Sequence, residues 1–392
     1  MIDRVLRSNG CRIDKQAVGA LTRAYSVPMR EEDHALLPPG RWPWCTDHPS
    51  PRLLPYLLGT VVVELRAADC LGGARHECAT KGSGTGMPSD AGMNDGEGFT
   101  SAVAARVMAE ACRRAGLRSD GARLLRFGEN AIFRLAGHPV VIRIARSTDY
   151  LPSVRNEVHV SRWLASEGLP AARIVDDIEQ PLIIDGHPVT FWHLIEEGDR
   201  KATYAELGAI LRDLHSLQLP EGLDLPPYSP FGRSDLRIEA ATGIGEDDRQ
   251  FLRKRGRELR DRLAELRFES AKGPVHGDAH VQNLMVDTRG QVILIDFEVF
   301  CYDYPEWDLM VTATEHDSLG WQTPEQYAAF VAAYGRDLRS WSGFPTLRAI
   351  QEFQMTTWLM QNVAESPEVA EEYARRIASL RDDDAPRNWH PG

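Results

Sequence analysis

The spacing of apolar residues changes along this chain of 392 residues from a strand pattern to a helix pattern. Between residues 97 and 197, a helical stretch (FTSAVAARVMAEACRRAG) is followed by five strand-like runs, with a second helical stretch at about 153–167 between the third and fourth runs. The five runs cover residues 122–127, 131–136, 139–145, 181–185 and 188–195. Strands grouped ahead of a helical half indicate an α+β fold with a small β-rich lobe.

From EEGD at 196–199 onward, most of the chain has helical spacing. In YAELGAILRDLHSL, apolar residues recur every three or four positions and predict one buried helix face, formed by Leu207, Ile210, Leu211 and Leu214. Further helical patterns lie at 247–267, 325–335, 347–364 and 367–381. We therefore expect a small lobe at 97–197 and a larger, mainly helical lobe at 198–392.

The first 96 residues lack this regularity. Their last part, KGSGTGMPSDAGMNDGEG at 81–98, is rich in Gly, Ser and Asp, as flexible linkers are. Its glycines do not match a phosphate-binding loop, because no apolar strand directly precedes them and no Gly-Lys-Ser/Thr follows. We expect residues 1–96 to be a poorly ordered extension and linker, or to reflect a start placed upstream of a true one at Met87 or Met93.

Composition and charge argue against several classes of function. The formal net charge is −12 and no Lys/Arg-rich run occurs, so no nucleic-acid partner is expected, since binding phosphates requires a basic face. LLPYLLGTVVVEL is too short for a membrane span of roughly 18–20 residues. The six cysteines are sparse, and the N-terminus lacks the apolar core of a secretory signal. These features predict a cytoplasmic protein, monomeric or dimeric, without a membrane partner.

A polar stretch between apolar residues carries the candidate chemistry. Residues 275–286 read VHGDAHVQNLMV and contain His-Gly-Asp-x-x-x-x-Asn; VILIDFE follows at 292–298. Phosphoryl transfer needs a carboxylate that orients the attacking hydroxyl and accepts its proton, and Asp278 fits this task. It also needs oxygen ligands for Mg²⁺, which the amide of Asn283 and the carboxylate of Asp296 can supply.

These two motifs, in this order and at this separation, resemble those of the aminoglycoside phosphotransferase family, whose relatives include choline, ethanolamine, homoserine and fructosamine kinases. Protein kinases have the related H-R-D-x-x-x-x-N and D-F-G. The resemblance implies a two-lobed protein-kinase-like fold with the nucleotide between the lobes. It also implies ATP and Mg²⁺ as cofactors and a small-molecule hydroxyl as the acceptor.

The resemblance further implies where the nucleotide is held. Arg143, in Val-Val-Ile-Arg, stands where kinases have the lysine of V-A-I-K, and Glu157 on the next helix is its expected partner. Arg146 is the alternative if the register is shifted. Asn130, in FGENAIF, is expected either to contact the nucleotide or to make a local hydrogen bond in a turn.

Adenine is expected to meet the segment 193–198 between the lobes, through backbone groups of Leu194, Ile195 or Glu196. Two further residues are expected to support the site: His276 and Asp308 would brace the catalytic loop. Glu298 replaces the glycine of D-F-G and would reach the metal or a substrate amine.

The acceptor pocket is expected in the C-terminal half. Its candidate residues are Trp307, Trp341, Gln351, Glu352, Trp358 and Glu365. Aromatic and acidic residues favour a cationic amino sugar or aminoglycoside-like acceptor, or a quaternary amine through cation–π contacts. A choline-, ethanolamine- or homoserine-type metabolite is the alternative.

Two other classes of function remain open on the sequence. His280 would be a metal ligand if HGDAH were a phosphohydrolase site, but that site needs further His/Asp clusters. His193 and His215 are instead expected in core or interface positions and His316 at a helix end. A nucleotide-binding pseudokinase is the second class, although such a protein does not need Asp278, Asn283 and Asp296 together.

Overall fold

The computed structural model of the protein describes residues 99–128, 130–364 and 366–391. The predicted extension at 1–96, with its linker and alternative starts, lies outside the described residues, as does the acceptor candidate Glu365. A sheet-containing region comes first in the described part and a mainly helical region follows it. The predicted α+β class, with a small β-rich lobe ahead of a larger helical one, is therefore confirmed.

Five antiparallel strands form the sheet of the small lobe, in the order β1-β2-β3-β5-β4. They are β1 (Arg123–Phe127), β2 (Asn130–Arg134), β3 (Val140–Ala145), β4 (Leu182–Ile184) and β5 (His187–His193). Each begins within one residue of a predicted run. The alternation along β3 buries Ile142 and Ile144 in the lobe's core and places Arg143 on the opposite face, toward the cleft.

Helix α1 (Ser101–Arg114) packs on the apolar face of this sheet. Its N-terminus is capped by Thr100, whose hydroxyl oxygen accepts from the N–H of Val103 at 3.2 Å. The predicted apolar side of the helix is buried, with Val103, Val107, Met108 and Ala111 all in the small-lobe core. Burying each of the larger side chains contributes about 1.5–3 kcal/mol, which holds α1 to the sheet.

Helix α2 (Leu151–Ser166) lies between β3 and β4 in the chain and joins the two lobes. Val160, Trp163 and Leu164 on its C-terminal half belong to the core of the helical lobe. Glu157, one turn earlier, is buried beside the cleft. The packing of α2 on the helical lobe therefore fixes the position of Glu157.

The helical lobe is built from longer helices and two small two-stranded sheets. Its helices are α3 (Tyr204–Ser216), α4 (Gly232–Ala240), α5 (Glu246–Ala264), α6 (Glu306–Asp317), α7 (Pro324–Tyr334), α8 (Phe344–Leu359) and α9 (Pro367–Leu380). Helix α3 buries the predicted stripe of leucines and isoleucine. It approaches α7 so closely that a Cβ on Gly208 would lie 2.5 Å from the carbonyl oxygen of Phe330.

Two antiparallel strand pairs position the polar motifs. Strand β6 (Gly273–Val275) pairs with β9 (Cys301–Asp303), and β7 (Leu284–Val286) pairs with β8 (Val292–Leu294). The loop at 276–283 joins β6 to β7, and the loop at 295–300 joins β8 to β9. Because the strands are paired, the two loops lie side by side, which brings HGDAHVQN next to IDFE.

Helices α4 and α6 were not predicted. Helix α4 is short and polar, with Ser234 and Ile238 as its buried residues, so it has little apolar periodicity. Helix α6 is buried on nearly all sides from Glu306 to Glu315, so it has no polar face to produce a period of 3.6 residues. None of the helices in the described ranges is both long and apolar enough to span a bilayer.

Candidate active site

The loop after β6 is held by one buried carboxylate. Asp308, at the start of α6, is fully buried; its Oδ2 accepts from the backbone N–H of His276 and its Oδ1 from that of Gly277, both at 2.8 Å. His215 on α3 donates from Nε2 to Oδ2 at 2.9 Å, and its Nδ1 lies 2.9 Å from the hydroxyl of Tyr334. The carboxylate thus ties the loop to α6 and α3.

His276 adds a second tie. Its ring is fully buried, and Nε2 lies 2.9 Å from the carbonyl oxygen of Ile295 in the neighbouring loop. Gly277 has a φ of 82°, and a Cβ there would lie 2.5 Å from the carbonyl oxygen of Val299. Only glycine combines this left-handed backbone with so close an approach, so the two loops are locked together at this point.

Asp278 follows and points into the cleft with its side chain about half exposed, at 52%. Asn283 donates from Nδ2 to the backbone oxygen of Asp278 at 2.8 Å and to its carboxylate at 3.3 Å. His280 lies 3.4 Å from the same carboxylate. Burial opposes ionisation of Asp278, but the hydrogen bond and charge of His280 outweigh it and lower the pKa of the carboxyl.

Asp296 stands at the end of β8 with a φ of 68°, in the left-handed region that few residues other than glycine adopt. Its Oδ1 is buried and has no hydrogen-bond partner, an arrangement that is unfavourable unless a ligand completes it. Burial, together with the nearby carboxylates of Glu298 and Asp278, raises the pKa of Asp296. A cation at this oxygen would remove both penalties.

The donor set suits Mg²⁺. Because the Nδ2 of Asn283 is used by Asp278, the amide orientation leaves Oδ1 as the group that can bind a cation. In the described ranges, no three His, Cys, Asp or Glu side chains gather into a metal cage. Mg²⁺ is commonly held by one or two carboxylates together with substrate phosphates, so Asp296 and Asn283 fit it. The His/Asp cluster that the phosphohydrolase alternative needs is not found in this part of the chain.

Arg143 lies at the centre of a charge network on the other side of the cleft. Its Nη1 donates to Glu157 at 2.5 Å and lies 3.7 Å from Asp296, while its Nη2 donates to Glu298 at 2.6 Å. Burial raises the pKa of Glu157, and the charge of Arg143 opposes this. Breaking such a buried pair on one side typically costs about 3–5 kcal/mol. The network therefore holds the guanidinium in one place.

Two small-lobe residues complete this side. With its amide turned to suit its neighbours, Asn130 has Oδ1 2.9 Å from Nη2 of Arg143. Asn130 is the first residue of β2, and its side chain contacts Arg143. Arg146, the alternative to Arg143, donates instead to the carbonyl oxygen of Gly128 at 3.1 Å.

The segment after β5 runs along the edge of the cleft. The N–H of Leu194 donates to Pro139 at 2.8 Å, which extends the sheet. The carbonyl of Glu196 accepts from Thr288, and Gly198 donates to Val286, so the segment pairs with the β7–β8 hairpin. The carboxylate of Glu196 pairs with Arg134 at 2.8 Å on the surface. Among the described groups, none accepts from the N–H of Glu196.

Comparison with known proteins identifies the family. A family model described as the phosphotransferase enzyme family matches residues 126–344, which is more than half of the chain and includes the cleft described above. The chain belongs to this family. It is thus a kinase of small molecules, as the motifs predicted, and no curated protein matches its sequence significantly.

Solved structures share the fold of this phosphotransferase. An amicoumacin kinase in complex with AMP-PNP and Ca²⁺ is 18% identical, with a TM-score of 0.58 over 74% of this chain and 97% of that chain. A microcompartment-associated aminopropanol kinase is 20% identical, with a TM-score of 0.54 over 70% and 94%. A spectinomycin phosphotransferase in complex with ADP and spectinomycin is 14% identical, with a TM-score of 0.50 over 72% and 95%. The predicted kinase-like fold is confirmed.

The cleft of the phosphotransferase has a volume of about 1750 Å³. Ligand pockets commonly have about 300–1,000 Å³, so this cleft has room for a nucleotide and a second molecule. Beyond Asp278, its helical-lobe wall comes from α6, α8 and the segment before α7. The lining residues there include Val311, Glu315, Trp321, Gln351, Met355 and Trp358.

The predicted acceptor residues divide into two groups. Gln351 and Trp358 line the cleft, and the indole of Trp358 is 46% exposed. Trp307, Trp341 and Glu352 do not line it: the two tryptophans are buried in the helical core, and Glu352 pairs with Arg387 at 3.1 Å. The prediction was wrong for the two tryptophans because large aromatic residues in a helical lobe serve its core as readily as its pocket, and wrong for Glu352 because its buried carboxylate is used by Arg387.

Two residues beside the reaction centre were missed from the sequence. His215 is nearly buried, as its expected core or interface position requires, but its bond to the carboxylate of Asp308 was not predicted. Arg233 on α4 donates to Glu298 at 2.9 Å, on the side of that carboxylate away from Arg143. No motif marks either residue, because each is brought to the site by a helix distant in sequence. His193 lies at the cleft edge, and His316 stacks on Tyr327 with ring centroids 4.5 Å apart.

Proposed function

We propose that this phosphotransferase transfers the γ-phosphoryl group of ATP, with Mg²⁺, to a hydroxyl of a small molecule. The observation that carries the proposal is the presence in one cleft of a half-exposed, ionised Asp278, of Asn283, and of Asp296, whose buried Oδ1 has no hydrogen-bond partner. A hydroxyl acceptor needs a base such as Asp278, and a metal nucleotide needs oxygen ligands such as those of Asn283 and Asp296.

Asp278 would orient the acceptor hydroxyl and take its proton. A positioned base of this kind contributes about 10²–10⁴ in rate. Its lowered pKa keeps it ionised at neutral pH, and His280 helps to hold it in place. Asn283 and Asp296 would hold Mg²⁺, which when bound neutralises charge on the phosphates.

Arg143 would contact the non-transferred phosphates. Glu157 would hold its guanidinium in place, and Asn130 would orient it through the contact to Nη2. A guanidinium suits this task because its N–H groups form a planar fork that matches phosphate oxygens. Glu298 would lie beside the metal. Adenine would bind through the carbonyl of Leu194 and the N–H of Glu196, because the N–H of Leu194 is already used by Pro139.

For the acceptor we propose a cationic amino sugar or aminoglycoside-like compound. Glu315 places a carboxylate on the helical-lobe wall, and the exposed face of Trp358 can stack on a sugar ring or an ammonium group. A second indole, that of Trp321, can stack on the acceptor in the same way. A hydrogen bond of 2.9 Å from its Nε1 to the carbonyl oxygen of Trp389 holds it in place. A choline-, ethanolamine- or homoserine-type acceptor is the alternative, and a pseudokinase would use none of these.

The test is ADP release from the full-length protein with Mg²⁺-ATP and a panel of acceptors. The panel contains aminoglycosides, amino sugars, spectinomycin, choline, ethanolamine, aminopropanol, homoserine and neutral sugars. Asp278→Asn should abolish acceptor-dependent turnover, whereas Asp213→Asn, on the exposed surface of α3, should leave it unchanged.

Turnover with one acceptor class and its loss in the Asp278 variant would support the proposal and identify the acceptor. If Mg²⁺-ATP does not raise the Tm and no acceptor is phosphorylated, the proposal is wrong. Nucleotide binding without turnover on any acceptor would favour the pseudokinase.

A further inference from the structure

We propose that Arg233 is a further catalytic residue of this phosphotransferase, one that contacts the phosphoryl group during its transfer. This inference rests on the proposed function and adds a residue to it. It starts from the position of Arg233, which lines the cleft on the helical-lobe side and shares a carboxylate with Arg143.

The geometry around Glu298 brings two guanidinium groups to one place. Nη2 of Arg143 donates to Oε2 at 2.6 Å, and Nη2 of Arg233 donates to Oε1 at 2.9 Å. The carboxylate of Glu298 thus lies between two guanidinium groups, one bonded to each of its oxygens. Glu298 is two residues beyond Asp296, the proposed metal ligand. Arg233 therefore lies next to the position where the transferring group must be.

Helix α4 gives Arg233 a rigid support. Ser234, the next residue, makes a buried hydrogen bond of 2.8 Å to Thr357 on α8. Phe231, at the start of the helix, is buried against Phe353, and Arg260 stacks on its other side at 4.4 Å. The backbone at Arg233 is thus fixed from both directions, as a catalytic group requires.

The two arginines differ in how they are held. Arg143 is buried, at 16% exposure, and Glu157 fixes it from behind. Arg233 is 48% exposed, and Glu298 is its ion-pair partner across the cleft. Arg143 therefore suits phosphates that do not move during the reaction. Arg233 is the more exposed of the two, so its guanidinium faces the space that the transferring group would occupy.

The chemistry gives such a cation a task. The acceptor oxygen forms a bond to the γ-phosphorus while the bond from this phosphorus to the bridging oxygen of ADP breaks, and the hydroxyl proton passes to Asp278. Negative charge then lies on the three equatorial oxygens of the transferring group and on the leaving phosphate. A fixed guanidinium next to these oxygens stabilises the transition state more than the bound substrate.

The experiment compares binding of Mg²⁺-ADP with binding of Mg²⁺-ADP plus aluminium fluoride, a planar mimic of the transferring group, to the full-length protein by calorimetry. The variants are R233Q, R233K, R143Q and R253Q. R253Q is the matched control, because Arg253 on α5 forms an exposed ion pair with Glu239, which lies on α4 as Arg233 does. The Tm of each variant without ligand shows that it is folded.

We expect R233Q to bind Mg²⁺-ADP within about twofold of the wild type and to lose about 10²-fold in affinity for the fluoride complex. R233K should keep part of that affinity, since lysine retains the charge but not the fork. R143Q should lower the affinity for Mg²⁺-ADP and for the fluoride complex by the same factor. R253Q should change neither affinity.

Equal weakening of both complexes in R233Q would mean that Arg233 only positions Glu298 and the metal, which overturns the inference. An R233Q variant that binds both as the wild type does would overturn it too. Failure of the proposed function is distinguishable in the wild type itself, which would then bind no Mg²⁺-ADP or, as a pseudokinase, would bind the fluoride complex no more tightly than Mg²⁺-ADP.

Discussion

Replacing Asp308 with asparagine should destabilise the protein and misplace the catalytic loop without touching substrate. The carboxylate is fully buried and accepts from three donors: His276 N–H, Gly277 N–H and His215 Nε2. Asparagine replaces one of the two accepting oxygens with an NH₂ group. In its better orientation this group faces the N–H of Gly277, so one buried donor is left without an acceptor.

The magnitude follows from these contacts. One buried N–H without a partner costs about 1–3 kcal/mol, and the two remaining bonds lose their charge assistance at about 1 kcal/mol each. The sum is about 3–5 kcal/mol, a large part of the roughly 5–15 kcal/mol that stabilises most domains. Misplacement of Asp278 by about 1 Å can cost about 10²-fold in rate, so kcat should fall as well.

Urea unfolding followed by tryptophan fluorescence measures the first effect, and acceptor-dependent ADP release the second. Asp278→Asn provides the contrast: its side chain is about half exposed, so this variant should lose turnover while keeping its stability within about 0.5 kcal/mol. An Asp308→Asn variant that unfolds within 1 kcal/mol of the wild type and turns over normally would refute the reasoning.

Three shorter predictions follow from other parts of the structure. Gly277→Ala should lower the Tm more than Gly290→Ala, because both have positive φ but only the first Cβ meets a neighbour, 2.5 Å from Val299 O. Asp296→Asn should have the Tm of the wild type without ligand, since asparagine tolerates this backbone conformation. The Mg²⁺ concentration at which the nucleotide raises its Tm should be at least about tenfold higher. Arg339 holds the pKa of Asp337 at about 2, so Asp337→Asn should be about 1 kcal/mol less stable by urea unfolding at pH 7, and this difference should shrink as the pH falls from 5 toward 3.

The sequence predicted those parts of the site that lie within short motifs. Asp278 and Asn283 lie in one loop, and Asp296 lies in the loop directly after β8, so local spacing was enough to bring them together. The sheet was equally accessible, because residues in β2 and β3 alternate between a buried face and a partly exposed face, and β5 is a nearly continuous apolar run. Both predictions depend on patterns within short segments, although β3 then pairs with β5 across about 50 positions of sequence.

The parts that were missed depend on distant segments. Arg233 reaches Glu298 across 65 positions of sequence, and His215 reaches Asp308 across 93. No local pattern encodes such pairs. Trp307 and Trp341 show the reverse problem, since an aromatic residue looks the same in sequence whether it lines a pocket or fills a core.

The burial of α6 has a consequence for how acceptor preference can change. Asp308, Val311 and Glu315 lie on one face of this helix, so a single rigid element holds the catalytic loop at one end and lines the acceptor side of the cleft at the other. Substitutions on α6 that reshape the pocket will therefore tend to disturb the loop. Trp358 and Leu236 are exposed on the rim formed by α8 and α4, so their side chains can change without altering the buried face of α6. Engineering of new acceptors, like natural divergence, should proceed through that rim and leave α6 unchanged.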